Sequence, residues 1–247
     1  MMGVVALEAV VWGDRGATRA IAAAVAASRA LLVKKVLSPE RCADVARAVA
    51  GDAPTAILVP HRGENIVSYA RNVWTRRPHR PARLLGGEAV ATTMRGQARL
   101  DLRPCFDAQQ LVPQGLFGAH RLNETDSAIF VTAGGMRTPL HSDERHGMLL
   151  HVAGRKTFVL IPNADSDADA ATLKRLLLMR DAVGDHAEHY PETPANTALR
   201  KVRRLQGSLD IGDALFIPQR WLHDIESTTP TISVSLRFGN WDKPNKK

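Results

Sequence analysis

The stretch SAIFVTAGGMRTPLHSDERHGMLLHVAGRKTFVLIP (residues 127–162) consists of short apolar and β-branched runs separated by glycine or proline. Three more runs of this kind follow: GSLDIGDALFIP (207–218), HDIES (223–227) and TISVSLRFGNW (231–241). Runs of about five to eight residues with such punctuation predict an all-β sandwich or barrel. One helix is expected to interrupt the strands at about Asp167–Val183, where acidic residues precede the amphipathic sequence LKRLLLMR.

The residues before this stretch predict a mixed region. An alanine-rich helix is expected near residues 17–29, a strand at LLVKKVLS (31–38), and a helix from Ser38 to about Ala50, since serine caps helices and proline suits their first turn. AILVP (56–60) predicts a second short strand, and 61–125 is expected to be loop and sheet edge, with VSYARNVW (67–74) as a helical candidate. We therefore expect residues 1–125 to pack on and complete a β core formed by 126–247, as one structural domain.

The composition narrows the class of protein. Two cysteines in unlike contexts form neither a disulfide framework nor a thiolate metal motif, which favours a reducing cytoplasm. The N-terminus lacks a basic region typical of a signal peptide, and no apolar stretch is long enough to cross a membrane. The net charge of +8 leaves nucleic acid open as a partner, although the basic residues are scattered and do not alternate with aromatic residues.

A candidate metal site is spread over the second half of the chain. His141 and Asp143 are two positions apart in a predicted strand, so that both side chains leave the same face. His223 follows the turn and apolar strand GDALFIPQRW, which would bring it back across the sheet. A second His-x-acid pair, His186 and Glu188, lies in a polar segment typical of a surface loop and is not expected to bind metal.

Two imidazoles and one carboxylate favour iron. Three protein ligands on an octahedral Fe(II) leave three positions open for a bidentate 2-oxo acid and for O2. A structural zinc site would close with four ligands and often uses cysteine, and no cysteine is near these residues in the sequence.

A candidate anion anchor follows the first two ligands. Lys156 opens the apolar strand KTFVLIP, where a buried ammonium is costly unless an anion meets it. The C5 carboxylate of 2-oxoglutarate would be such an anion, and the Thr138 hydroxyl could add a hydrogen bond. Arg237, on the last predicted strand, is the rival anchor.

In this combination the chain resembles the JmjC/cupin-like oxygenases that depend on Fe(II) and 2-oxoglutarate, especially their asparaginyl-hydroxylase-like branch. The residues that carry the resemblance are, in order, Thr138, His141, Asp143, Gly154, Lys156, Gly212, Asp213, Pro218, Trp221 and His223. The resemblance implies a double-stranded β-helix, of the cupin or jelly-roll type, with N-terminal helices. It also implies that oxidative decarboxylation of 2-oxoglutarate to succinate is coupled to hydroxylation of a substrate C–H bond.

The chain departs from that branch at two points. Gly147 stands where an asparagine is frequent, and the tyrosine that often contacts 2-oxoglutarate has only Tyr69 and Tyr190 as candidates. Trp241 matches an aromatic residue after the last strand, and Trp241 and Arg71 are the candidates for contact with the substrate.

The expected function is hydroxylation of an amino-acid side chain in a protein, a peptide or an amino-acid-derived metabolite. Demethylation begins with the same C–H hydroxylation but is ranked lower, since no histone-reader or zinc module is recognisable beside the barrel. Two alternatives stay open. One is a non-catalytic cupin-like module that binds metal or a partner, and the other is an oxygenase that acts on nucleic acid, with arginine clusters around 71–83 and 200–204 at the mouth of the barrel.

Overall fold

The computed structural model describes residues 4–50, 54–58, 81–85, 97–101, 112, 116–117, 120, 122–132, 134–162 and 203–239. Several predictions from the sequence fall outside these residues. They concern the inserted helix at 167–183, the helical candidate at 67–74, the histidine pair at 186–188, and the residues Tyr69, Arg71, Tyr190 and Trp241.

The described residues form two helices and fourteen strands. The helices are α1 (Ala17–Ala26) and α2 (Pro39–Ala50), and neither has the length and apolar character needed to cross a membrane. The strands before the predicted β core are β1 (Val4–Ala6), β2 (Ala9–Val11), β3 (Leu31–Lys34), β4 (Pro54–Leu58), β5 (Pro81–Leu85) and β6 (Gln97–Asp101). The strands of the core are β7 (Leu122–Thr132), β8 (Met136–Ser142), β9 (His146–Ala153), β10 (Lys156–Ile161), β11 (Arg204–Leu209), β12 (Ala214–Ile217), β13 (Leu222–Ser227) and β14 (Thr231–Phe238).

The eight core strands have the order of a jelly roll. The five-stranded sheet runs β1-β11-β10-β13-β8, and the nine-stranded sheet contains the consecutive neighbours β12-β9-β14-β7. Within each sheet the core strands pair antiparallel. Strands that are adjacent in sequence mostly lie in opposite sheets, which is the double-stranded β-helix expected from the sequence. The prediction of a mainly β, cupin-like fold is confirmed.

Alternation along the strands creates two apolar layers. In β9, Met148, Leu150 and Val152 face the buried residues of α1 and α2, while Leu149 faces the space between the two sheets. The same alternation in β12 sends Phe216 to the helices and Leu215 to the space between the sheets. The middle of the nine-stranded sheet, at β9 and β12, is therefore apolar on both faces, and the inner face of the sheet forms one wall of the central pocket.

The N-terminal region contributes more strands than the sequence predicts. The helices α1 and α2 and the strands β3 and β4 agree with the expected positions within a few residues. β5 and β6 lie in the segment expected to be loop and sheet edge, in which the sequence located no individual strand. They extend the far edge of the nine-stranded sheet, where β5 begins at a proline that an outermost strand tolerates. The division into a region 1–125 and a core 126–247 stays a prediction.

Replacing Gly154 by alanine is expected to lower the free energy of unfolding by about 2 kcal/mol. Gly154 has a φ of +79°, and a Cβ there would overlap the carbonyl oxygen of Pro230, so backbone strain and a clash with rigid backbone add up. Gly135 is the matched control, because its φ is +75° with no heavy atom within 4 Å of an added Cβ. Urea unfolding should show a clearly smaller loss for Gly135→Ala, about 1 kcal/mol. Equal losses would contradict the tight turn at Gly154.

Candidate functional site

Strand register brings two of the predicted ligands face to face. β8 and β13 are antiparallel neighbours in which His141 and His223 are direct partners. Directly opposed side chains lie on the same face of a sheet, and the two ring centroids are 4.0 Å apart. Both histidines are buried, at 8% and 3% exposure. Residues 82 positions apart in the sequence are thus joined by one pair of a β ladder.

Asp143 completes the group from just beyond the strand. The sequence suggested that His141 lies near a strand start, but β8 ends at Ser142, and Asp143 is the first residue after it. Its backbone carbonyl oxygen accepts a hydrogen bond from the Arg220 N–H at 2.8 Å, which ties the end of β8 to the loop before β13. Ligand atoms of His141, Asp143 and His223, the His-Asp-His triad, lie within 4.8 Å of one another. A triad with this spacing can bind a metal ion.

His223 has the tautomer that a metal ligand needs. Its Nδ1 lies 3.0 Å from the carbonyl oxygen of Trp221, and since a carbonyl only accepts, Nδ1 carries the proton and donates it. Nε2 is left with a lone pair and lies 3.3 Å from Oδ2 of Asp143. Histidines that bind metals usually donate their other ring N–H to a carbonyl or carboxylate in this way.

The carboxylate of Asp143 is held in its charged form. Burial alone would raise its pKa, but the polar contact with His223 and the positive charge of Arg237 outweigh that effect and place the pKa well below its usual range. Its Oδ2 is buried and makes no hydrogen bond with the described residues, although Arg237 Nη1 lies only 2.6 Å away. That contact is therefore an ion pair that is not aligned as a hydrogen bond. A buried anionic oxygen with a free lone pair, beside a histidine Nε2, fits a divalent cation.

Lys156 is a buried cation at the start of β10. It is 5% exposed, and its Nζ donates to Ser227 Oγ at 2.9 Å; that oxygen in turn lies 3.0 Å from Thr231 Oγ1. Within the described part of the chain, Lys156 forms no ion pair with a carboxylate. Burial lowers its pKa to about 8. An ammonium in this position is stabilised when an anion enters beside it.

One pocket joins these groups. It is lined by Phe130, Thr138, His141, Gly147, Met148, Leu149, Lys156, Ile217, His223, Ile225, Ser235 and Arg237. The structure thus brings together the two histidines, Lys156, Thr138 and Arg237, all of which the sequence singled out. Arg237, the rival anchor, contacts Asp143, whereas Lys156 faces the pocket without a carboxylate partner. Arg71 and Trp241 lie outside the described residues.

Sequence reasoning named Trp221 only as part of the family pattern and missed the contributions of Ser227 and Arg220 to the site. Trp221 acts through its backbone carbonyl, and Ser227 through the hydroxyl group that holds Lys156. Arg220 has a left-handed backbone, with φ of 64°, at the point where its N–H reaches Asp143. Only the position of Trp221, two residues before His223, carried a signal in the sequence.

Comparisons with known proteins agree with this geometry. A profile of the family described as Cupin-like domain matches residues 106–246. Jumonji C domain-containing protein 5 of Drosophila melanogaster is 34% identical over 117 residues, which cover 46% of this chain and 28% of that protein. Lysine-specific demethylase JMJ30 of Arabidopsis thaliana is 30% identical over 106 residues, which cover 43% of this chain and 24% of that protein.

The name of a third relative refers to tRNA, whereas that of JMJ30 refers to lysine. The tRNA wybutosine-synthesizing protein 5 of Homo sapiens is 29% identical over 115 residues, covering 44% of this chain and 33% of that protein. The chain thus spans about a quarter to a third of the length of the curated relatives named here. Because the matched segment is more than half of the chain and contains the whole triad, the protein belongs to the cupin-like (JmjC) domain family, whose cofactors are Fe(II) and 2-oxoglutarate.

Proposed function

We propose that the protein is an Fe(II)- and 2-oxoglutarate-dependent hydroxylase that acts on an amino-acid side chain in a protein, a peptide or an amino-acid-derived metabolite. The observation that carries this proposal is the shared pocket of the triad histidines and Lys156, a buried cation without a carboxylate partner among the described residues. A structural metal site would not need a second, uncompensated cation beside it. A co-substrate that is itself an anion and binds the metal accounts for both the triad and the buried ammonium of Lys156.

In the proposed reaction, 2-oxoglutarate, O2 and a substrate C–H group become succinate, CO2 and an alcohol. Bound iron would supply the activation of O2, with one oxygen atom entering succinate and the other the substrate. His141, Asp143 and His223 would hold the metal, and the two histidines line the pocket. The apolar side chains of Phe130, Leu149, Ile217 and Ile225 line the same pocket.

Lys156 would set the orientation of the co-substrate. Its Nζ is fixed by Ser227, so a carboxylate that binds Nζ is held at one end while the opposite end extends toward the triad. Thr138, which pairs with Ile225 in the neighbouring strand, lines the same pocket and offers a hydroxyl group to that carboxylate. The charge of Lys156 and the charge of a C5 carboxylate would then compensate each other.

The affinity for 2-oxoglutarate is expected to fall as the pH rises above about 8. Burial lowers the pKa of Lys156 to about 8, so above that pH the free protein loses the ammonium that the carboxylate needs. The dissociation constant should rise by about tenfold for each further pH unit. Equilibrium dialysis of Mn(II)-loaded protein with labelled 2-oxoglutarate measures it, with Mn(II) affinity over the same range as the control. A constant affinity for 2-oxoglutarate up to about pH 9.5 would contradict the role of Lys156.

Turnover separates the proposal from the non-catalytic alternative. The protein supplied with Fe(II), 2-oxoglutarate and O2 should form succinate, detected by proton NMR, and His141→Ala should form none. Binding of 2-oxoglutarate with no succinate, even with a panel of peptides, amino acids and nucleic acids present, would favour a module that binds without catalysis.

The product distinguishes the remaining alternatives. A hydroxylated peptide or metabolite gains one oxygen atom, whereas demethylation releases formaldehyde. The names of the relatives include a lysine-specific demethylase and a tRNA wybutosine-synthesizing protein, so methylated peptides and tRNA belong in the panel. Most of the two arginine clusters considered for nucleic acid lies outside the described residues. Substrate contacts by Arg71 and Trp241, and a cytoplasmic location, remain part of the proposal.

A further inference from the structure

Arg237 lies against the metal-binding carboxylate instead of facing a free anion. Its Nη1 is 2.6 Å from Oδ2 of Asp143, and the two side chains are 20% and 25% exposed. Asp143 follows the last residue of β8, so the β ladder fixes its backbone only up to the neighbouring residue. The carbonyl group of Asp143 is tied to the Arg220 N–H, but no hydrogen bond from the described residues orients its Oδ2. Two side chains approach this oxygen: His223 Nε2, from a proposed metal ligand, at 3.3 Å, and Arg237 Nη1, which is closer and does not belong to the ligand set.

The opposite strand leaves space for that contact. Gly147 is the register partner of Arg237 on β9, and a Cβ at Gly147 would lie 2.6 Å from Arg237 Nη1 and 3.6 Å from Cζ. Gly147 is not among the glycines with positive φ, so its backbone conformation is open to any residue. Glycine inside a strand weakens that strand, and one reason for it is the close approach of another group. Here the approaching group is the guanidinium of Arg237.

We propose that Arg237 is a positioning residue that holds the carboxylate of Asp143 in its metal-binding orientation, and that Gly147 provides the space for its guanidinium. This role rests on the proposed metal site. It differs from the role of 2-oxoglutarate anchor, which would place the guanidinium on the co-substrate instead of on the metal ligand. Residues that orient metal-binding side chains commonly contribute a factor of about 10 to 100 to metal affinity.

The sign of the effect of removing Arg237 is informative. A positive charge next to a metal ion repels it, so loss of that charge alone would tighten the binding of a divalent cation. Loss of the orientation of Asp143 would weaken it. We expect Arg237→Gln to bind Mn(II) about 10 to 100 times more weakly than the unchanged protein, measured by the EPR signal of free Mn(II). Arg237→Lys should recover little of this loss, because an ammonium is a compact point charge on a flexible stem and does not reproduce the placement of the guanidinium.

Gly147→Ala tests the same contact from the other strand. The added methyl group must displace the end of a flexible side chain, so the fold should survive while the guanidinium leaves Asp143. Mn(II) affinity should fall as it does in Arg237→Gln. The double variant should be no weaker than Arg237→Gln alone, since both changes remove one interaction. Fully additive losses would contradict a shared contact.

Two controls separate failure of this proposal from failure of the proposed function. Arg203→Gln removes an exposed arginine that precedes β11 and should leave Mn(II) affinity unchanged; His141→Ala should abolish binding. If the unchanged protein does not bind Mn(II), the proposed function fails. If it does bind Mn(II), and Arg237→Gln and Gly147→Ala bind it equally well or more tightly, only the role of Arg237 is overturned. The same holds if Arg237→Gln weakens 2-oxoglutarate binding and leaves Mn(II) affinity intact, because Arg237 would then be an anchor. Circular dichroism spectra confirm that each variant is folded.

Discussion

Lys156→Met is expected to raise the free energy of unfolding at pH 7 by about 2 kcal/mol and to weaken 2-oxoglutarate binding by at least about 30-fold. Burial lowers the pKa of Lys156 from 10.5 to about 8, which at about 1.4 kcal/mol for each pH unit corresponds to a cost of about 3 kcal/mol for keeping the ammonium charged in the folded state. The substitution removes this cost, but it also removes the hydrogen bond from Lys156 to Ser227, which lowers the expected stabilisation by about 1 kcal/mol. The loss of binding follows because a buried charge pair is typically worth about 2–5 kcal/mol.

The pH dependence checks the origin of this gain in stability. Below pH 8 Lys156 is charged in both the folded and the unfolded protein, and the folded protein bears the full cost. Between pH 8 and 10.5 the folded protein releases the proton first, so the wild type gains stability as the pH rises. The difference between Lys156→Met and wild type should therefore shrink over that window. Urea unfolding at several pH values measures it.

A second lysine provides a control with the opposite sign. Lys34 Nζ lies 2.7 Å from Oδ2 of Asp213, a carboxylate whose side chain is 3% exposed, and 3.0 Å from Oδ2 of Asp210. Burial by itself lowers the pKa of Lys34, but these two carboxylates outweigh it and raise the pKa. Lys34→Met leaves the Asp213 carboxylate without its cation and should destabilise the protein. Stabilisation by both substitutions, or by neither, would contradict the view that Lys156 is buried at a cost to the fold.

Asp143→Asn is expected to weaken the binding of Mn(II) by more than about 100-fold, which is the upper range for residues that only orient a metal ligand. Asparagine keeps the shape of the side chain but removes the negative charge that balances the divalent ion and Arg237. The ligands that remain, His141 and His223, provide no negative charge to balance the divalent ion. Titration with Mn(II), followed by EPR, gives the affinity.

The stability of this variant indicates whether the metal site has been lost selectively. Asp143 and Arg237 are both partly exposed, so their ion pair should contribute only about 1 kcal/mol or less to the free energy of unfolding. Asp143→Asn should therefore remain folded at room temperature while its metal affinity collapses. Mn(II) affinity within a factor of about 10 of wild type would remove Asp143 from the ligand set.

The sequence predicted the parts of the fold that depend on local patterns. The runs at 127–162 and 207–238 became strands because alternation and glycine or proline punctuation act over a few residues. It expected loop and edge structure within 61–125 but did not locate β5 or β6, since an edge strand such as β5, with its proline and arginine, has little local signature. It also placed His141 at the beginning of a strand that in fact ends next to it.

The candidate site was predictable where side-chain chemistry is unusual for its position. Two histidines and an acid in a β context, and a lysine at the start of an apolar strand, are costly unless they bind something. The contact of Arg237 with Asp143 and the space at Gly147 were not predictable, because they depend on which residues of β8, β9 and β14 come side by side. Glycine at 147 reads in the sequence only as a missing asparagine. In the structure, the missing side chain at Gly147 leaves the space that the guanidinium of Arg237 occupies.

Anaerobic titration of the Fe(II)-loaded protein with 2-oxoglutarate tests the central claim most directly. A 2-oxo acid that chelates Fe(II) produces a weak visible charge-transfer band, so wild type should show a saturable band. His141→Ala should show none because it lacks a ligand, and Lys156→Met should reach the band only at far higher concentrations of 2-oxoglutarate. If iron is bound and no band appears at any concentration, the triad and Lys156 do not form one cofactor site, and the assignment of 2-oxoglutarate to this pocket is wrong.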